Sequence, residues 1–336
     1  MIRFPSDLEL ARMRTEFPRR FLKGLAVASA AALALGVSAA WAQTAGLPPL
    51  GAGGPPGGAQ PGLGGGTVGT LPDLAPPLPP PSPAEQLAAS LPAPQPGTML
   101  ADAPLPADSP MPSADPHDLR GAWHHNQKLV FRMQRDMYDN PVPFTMAGVK
   151  ILARRVQSAA IGKPYLNASA ICRPPGQTWQ LDLNMPFLTL QTKDAVEFLF
   201  EHYHGRWQIA LDPAKAPRLA QKAYMGSSAG HWIGDTLVVE TRDFKQALWL
   251  DPDGTPLSAN GKLIQRIRKV DNGDRAPFLE IITTIVDPAN YTRPWSVVRT
   301  FSWQPSLAVL SEFNCEQSIG DPTTDSNAGL VPEPKE

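Results

Sequence analysis

The residues with usable chemistry fall into four groups. His202 and His204 stand two apart at the end of a run in which Val196, Phe198 and Phe200 share their parity. On a strand, that spacing puts both imidazoles on the apolar face. Together with His231, or with His124 or His125 beside Trp123, they could hold a metal or a haem iron through neutral imidazole nitrogens. No carboxylate or cysteine stands at ligand spacing, so a pair of half-exposed histidines beside a turn is the simpler reading, and the expectation is no cofactor.

Gly226-Ser-Ser-Ala-Gly230 matches Gly-x-Ser-x-Gly, which in hydrolases exposes a nucleophilic serine on a sharp strand-to-helix turn. Ser228 would be the nucleophile and His231 or His202 its base. The next residues, Trp232 to Val239, read as a strand, so the glycines suit a tight loop better than a nucleophile elbow. The third group is aromatic. Tyr291, Arg293 and Trp295 crowd one loop, and Trp249 and Tyr224 lie near other turns. Aromatic bodies beside a guanidinium fork suit a planar or carboxylate-bearing apolar ligand. Trp123, Trp232 and Trp303 read instead as core. Arg266 and Arg268 share parity with Ile264 and Val270; a solvated outer face accounts for them, because an unpaired buried charge costs several kcal/mol. The fourth group is a single pair of cysteines, Cys172 and Cys315.

These side chains need a scaffold, and the scaffold centres on Tyr224 to Asp251. After the glycine-rich loop, Leu237, Val239 and Thr241 face one way and Thr236, Glu240 and Arg242 the other, which is the alternation of a half-buried strand. Further strands are expected at Phe187–Thr192, Ala195–Tyr203, Arg206–Leu211, Lys262–Val270, Phe278–Asp287, Trp295–Trp303 and Val309–Cys315. His204-Gly205 fits a two-residue hairpin turn, and Asp251-Pro-Asp-Gly254, Asp271-Asn-Gly273 and Asp287-Pro-Ala-Asn290 are turn chemistry. One helix is expected from Pro143 to about Ala160, capped by Thr145, with Val149, Leu152, Ala153 and Val156 at helical spacing. The fold class is therefore mainly β: an antiparallel meander, closed as a barrel because closure removes exposed edges, with a β-sandwich as the alternative.

Composition divides the 336-residue chain. Residues 1–42 read as a signal peptide, with basic residues to Lys23, a soft apolar run from Leu25 to Ala40 and the small-x-small pattern Ala40-Trp-Ala42. The alanine-rich run and cleavage pattern argue against a membrane span in the mature chain. Pro18-Arg-Arg-Phe-Leu-Lys23 resembles a twin-arginine motif without its spacer residue, so the general secretory route is favoured. Residues 43–116 read as a disordered linker. From Thr44 to Pro116 there is no Phe, Trp, Tyr, Lys or Arg, and 20 of the 39 prolines and 12 of the 27 glycines fall here. The linker serves as a passive tether or docks to an envelope partner. Residues 117–320 form the β domain and 321–336 a flexible tail.

From His117 to Glu336 there are 24 Lys+Arg against 23 Asp+Glu. That balance, with no basic cluster, excludes a nucleic-acid partner as the primary reading. Export to the periplasm or beyond would place Cys172 and Cys315 in an oxidising compartment, so a disulfide between them is expected.

Met225-Gly226, Ser228, Gly230, Trp232, Gly234-Asp-Thr-Leu-Val-Val239, Thr241 and Phe244, then Trp249-Leu-Asp251, Arg266, Arg268, Asp287-Pro288, Tyr291-Thr292, Pro294-Trp295 and Cys315, resemble a family of exported bacterial proteins of unknown function. The resemblance covers most of Leu119 to Cys315 and implies a shared fold, not a shared reaction. Where the family pattern reads Met-Gly-His-Ser-x-Gly, this chain has Ser227, with His231 four residues on. Gly121-Ala-Trp123 likewise resembles the Gly-x-Trp with which lipocalin-like barrels lay a tryptophan across the barrel floor. The expected function is binding of a small apolar or amphipathic molecule inside the barrel. The alternatives are a barrel enzyme, an isomerase or hydratase using a pocket histidine or a serine hydrolase, and a structural module whose barrel is packed solid.

Overall fold

The structure is a computed structural model, and it describes residues 80–98, 105–212, 214, 221–245, 248–315 and 331–334. The targeting segment, the first half of the expected linker and most of the C-terminal tail lie outside the described residues. Those described belong to the compact unit Pro76–Glu336.

Nine strands close into a barrel in the order β1-β11-β10-β9-β6-β5-β4-β3-β2. They are β1 (Gly121–His125), β2 (Phe187–Gln191), β3 (Ala195–Phe200), β4 (Arg206–Ala210), β5 (Ser227–Ile233), β6 (Thr236–Arg242), β9 (Lys262–Val270), β10 (Phe278–Val286) and β11 (Trp295–Trp303). β7 (Leu248–Trp249) and β8 (Pro256–Leu257) form a separate small hairpin between β6 and β9. The meander is not purely antiparallel. β5 runs parallel to β4, pairing Ile209 with Ser228 and Ala210 with Ala229, so the barrel is mixed. A parallel neighbour needs a crossover rather than a tight turn, and the chain between Ala210 and Ser227 supplies that length.

The alternation read from the sequence sets the inward face. Leu237, Val239, Leu263, Ile267, Leu279, Ile281, Phe198 and Phe301 are buried inside. Arg266 and Arg268 alternate with them and point outward, where Arg268 Nε donates to Glu280 at 2.7 Å. Trp123 is paired in register with both Trp303 and Phe187, at the seam where the first strand meets the last. Gly121 faces the Trp303 ring with φ +144, and a Cβ there would sit 1.9 Å from the indole. Gly234 and Asp235 make the two-residue turn between β5 and β6, Gly234 with positive φ as such turns require.

Among the described residues, three helices flank the barrel: α1 (Pro83–Ser90), α2 (Met146–Ala160) and α3 (Gln177–Gln180). α2 is the expected helix. The Thr145 hydroxyl accepts from the Gly148 amide, and Val149, Leu152, Ala153 and Val156 form its buried stripe. α1 lies inside the segment read as a linker, which is therefore helical at Pro83–Ser90. Its signal is local: Ser82 and Glu85 form a reciprocal capping box, Pro83 opens the helix, and Ala84, Leu87, Ala88 and Leu91 pack on the apolar cluster of α2. Composition averaged over the whole segment conceals these eight residues. Farther along, Trp303 Nε1 donates to Pro110 O at 2.8 Å, which fastens a second part of the segment to the barrel.

Two further expectations are corrected. Val309–Cys315 is not a strand; after Trp303 the chain makes a short 3₁₀ turn at Pro305–Leu307 and then runs without ladder partners. β1 already occupies the free edge of β11, so a further strand has nowhere to pair. His202–His204 is a 3₁₀ turn rather than strand plus hairpin, with Tyr203 and His204 holding the positive φ values. At Gly205 a Cβ would meet Gln180 Nε2 at 2.5 Å, so a larger residue there would displace the end of that side chain. The Cys172–Cys315 disulfide is formed, with Cα atoms 5.8 Å apart.

Candidate functional site

Two apolar clusters pack within and against the barrel. One is built on Trp123, Phe187, Phe198, Phe200, Trp207 and Phe301, and the other on Tyr291, Trp295, Leu263 and Ile285 with α2 and Phe144 packed against them. Inward-facing polar side chains also line the wall. Ser228 Oγ accepts from Trp207 Nε1 at 2.8 Å and lies 2.7 Å from Thr241 Oγ1, which reaches Gln265 at 3.3 Å. Ser228 therefore sits in mid-strand within a hydrogen-bonded row, without the strand-to-helix turn that a nucleophile elbow uses.

The histidines are dispersed. His231 is half-buried on β5 and alternates with the inward-facing Gly230 and Trp232, so it is carried on the outer face. His202 lies in its 3₁₀ turn against Tyr203 and Phe313, with ring centroids 3.9 and 4.6 Å away, and burial lowers its pKa to about 4. His204 is exposed beside it. Among the described residues, no group of three or more His, Cys, Asp or Glu side chains is placed to hold a metal ion.

The aromatic group divides in the same way. The Tyr291 hydroxyl donates to Pro256 O at 2.6 Å, and burial raises its pKa well above the usual value. Trp295 packs edge-on against it at 5.2 Å. Arg293 points outward and reaches Asp136 at 3.3 Å. Trp249 stacks with Trp179 of α3 at 6.5 Å and lies under the Arg155 guanidinium at 4.8 Å. Tyr224 lies under Lys245 at 4.8 Å. Tyr291 and Trp295 are thus adjacent, and Tyr224 packs against the same apolar cluster, whereas Arg293 and Trp249 make their contacts elsewhere.

Sequence reasoning did not single out the residues that border a cleft at the barrel seam. β1 pairs with β11 only as far as His125 and Phe301, so the rest of β11 is met by the loop after β1, through Met137 N–H to Ser296 O and Asn126 N–H to Thr300 O. Between this loop, β11, Leu152 of α2 and the overlying α1 lies a cleft of about 610 Å³. Its apolar lining is Val130, Met133, Val142, Phe144, Leu152 and Val297; α1 supplies Glu85, Ala88 and Ala89, and three guanidinium groups come from Arg132, Arg135 and Arg299.

Buried carboxylates shape the walls. Asp251 accepts from the Met133 amide at 2.8 Å, which fixes the loop under the cleft, and from the Gly254 and Thr255 amides at 2.9 and 3.0 Å. Burial nevertheless raises its pKa. Asp182 pairs with Arg299, and although burial opposes its charge, the guanidinium and His125 outweigh that and lower its pKa. His125 Nδ1 accepts from the Gln127 amide at 3.2 Å, and its Nε2 stops 3.8 Å from Asp182. That separation is an electrostatic contact but too long for a hydrogen bond.

Fold and site together define a closed, mixed nine-stranded β-barrel with a disulfide and a cleft at its seam, lined on β11 by the inward-facing Val297 and Arg299. No family model matches the chain, and no curated protein matches it.

Proposed function

We propose that this protein is an exported barrel that binds one small apolar or amphipathic molecule, and that the ligand sits in the cleft at the seam. The observation that carries the reading is the 610 Å³ cleft, lined mostly by apolar side chains together with three guanidinium groups. The volume is that of an ordinary small-molecule site. Export is supported by the disulfide and by the signal-like sequence of residues 1–42. Membership of the exported bacterial family of unknown function rests on the Met225–Phe244 motif and assigns no reaction.

The test is native mass spectrometry of the exported full chain, together with titration by the neutral dye N-phenyl-1-naphthylamine. The binding reading expects a retained organic mass or dye binding that is lost when Val142→Trp fills the cleft. A clean apo mass with the disulfide intact, and no dye binding by the parent chain, would overturn it in favour of a structural module.

A further inference from the structure

The charge facing the cleft is one-sided. Arg132, Arg135 and Arg299 contribute to the lining, against a single acid among the described residues, Glu85. The aspartates paired with those arginines, Asp253, Asp139 and Asp182, hold the guanidinium groups from outside the lining. Glu85 is already committed, because its carboxylate accepts the Ser82 amide at 2.6 Å and so closes the cap of α1. Arg132 is 5% exposed; it gives Nη1 to Pro92 O and Nη2 to Asp253, each at 2.8 Å, and among the described residues its Nε has no hydrogen-bond partner. Arg299 is 12% exposed, and Asp182 keeps it charged against the effect of burial. Arg135 is 57% exposed and marks the mouth.

Resting on the reading of the cleft as a binding site, we infer that it takes an amphipathic monoanion. A carboxylate head lies among Arg132, Arg135 and Arg299, and an apolar body runs against Met133, Phe144 and Leu152. Guanidinium groups suit a carboxylate through charge-assisted hydrogen bonds. Each of the three already faces an aspartate, and among the described residues the donor still to be satisfied is the buried Arg132 Nε.

The experiment is isothermal titration of the full chain with decanoate, decanol and decyltrimethylammonium, repeated on Arg135→Gln, whose exposed position spares the fold. Decanoate is expected to bind at least about tenfold more tightly than decanol, with the cation weakest. Arg135→Gln should weaken decanoate several-fold and leave decanol unchanged. Equal binding of decanoate and decanol, or an equal loss of both in Arg135→Gln, would overturn the headgroup assignment while leaving a cleft that binds apolar bodies. Binding of none of the three, with no uptake of the neutral dye, would remove both.

Discussion

Arg299 on β11 and Asp182 just after α3 form a buried two-bond pair: Arg299 Nη2 donates to Asp182 Oδ2 at 3.0 Å, and Nε donates to Oδ1. The pair fastens the chain just after α3 to β11. Asp182→Asn leaves a buried guanidinium without its anion and should cost about 3–5 kcal/mol, whereas Asp182→Leu with Arg299→Met should recover most of that loss. Urea unfolding of the single and double variants checks it. The folded pKa of Asp182 lies below its ordinary value, so its contribution is complete above about pH 4 and is lost as pH falls through the folded value. Asp182→Asn should therefore also flatten the acid limb of stability.

His202 has the opposite chemistry and gives a different window. Burial depresses its pKa from 6.5 to about 4, so the unfolded chain takes up a proton before the folded one does. Stability is expected to fall as pH drops from 6.5 towards 4, and His202→Gln should remove that part of the slope. A histidine Cε1 NMR titration reads the pKa directly. Because Phe313 covers this ring two residues before Cys315, reducing the disulfide should move the midpoint back towards 6.5.

Cys172 and Cys315 are 143 residues apart in sequence. Replacing both by serine should lower stability by about 4–5 kcal/mol on the loop-entropy estimate. Denaturant unfolding with and without reductant measures it: the parent chain should lose this amount on reduction and the double variant nothing.

Two glycines separate strain from collision. At Gly121, an alanine Cβ would meet the Trp303 ring at 1.9 Å in addition to adopting positive φ, whereas at Gly234 the same change has positive φ but nothing within 4 Å. Gly234→Ala should cost about 1 kcal/mol and Gly121→Ala clearly more, because the seam indole must move. Thermal unfolding, with the near-UV signal of Trp303 as the local probe, distinguishes them.

Much of the barrel was legible because strand periodicity is a local property. Leu237, Val239 and Thr241 announce their face in a seven-residue window, and Thr145 announces the start of α2. Capping at α1 was equally local, written in Ser82-Pro-Ala-Glu85, but the proline and glycine content around it hid it. The parallel β4–β5 pairing was not legible, since an alternating strand carries no record of its neighbour's direction. The cleft was legible least of all. Met133, Phe144, Leu152, Val297 and Arg299 come from a loop, a helix and the last strand, and only the early end of β1 at His125 brings them together. Tyr291, Arg293 and Trp295 looked like a site because they are neighbours of one parity in sequence, but the chain bends at Thr292 and Arg293 before the strand begins, and Arg293 is turned outward from the other two.

The closing pair of the barrel joins its first strand to its last, Trp123 to Trp303. While a chain is being synthesised from its N-terminus, β1 must therefore wait for nearly the whole domain before it gains its second neighbour. Until residues 295–303 arrive, β1 and β10 each present an open edge, and contacts this distant in sequence form slowly. A polypeptide cut short before Trp295 should accordingly become a sticky, edge-exposed sheet rather than a smaller barrel. Quality control of this molecule thus bears on its last strand, the one that also carries Arg299.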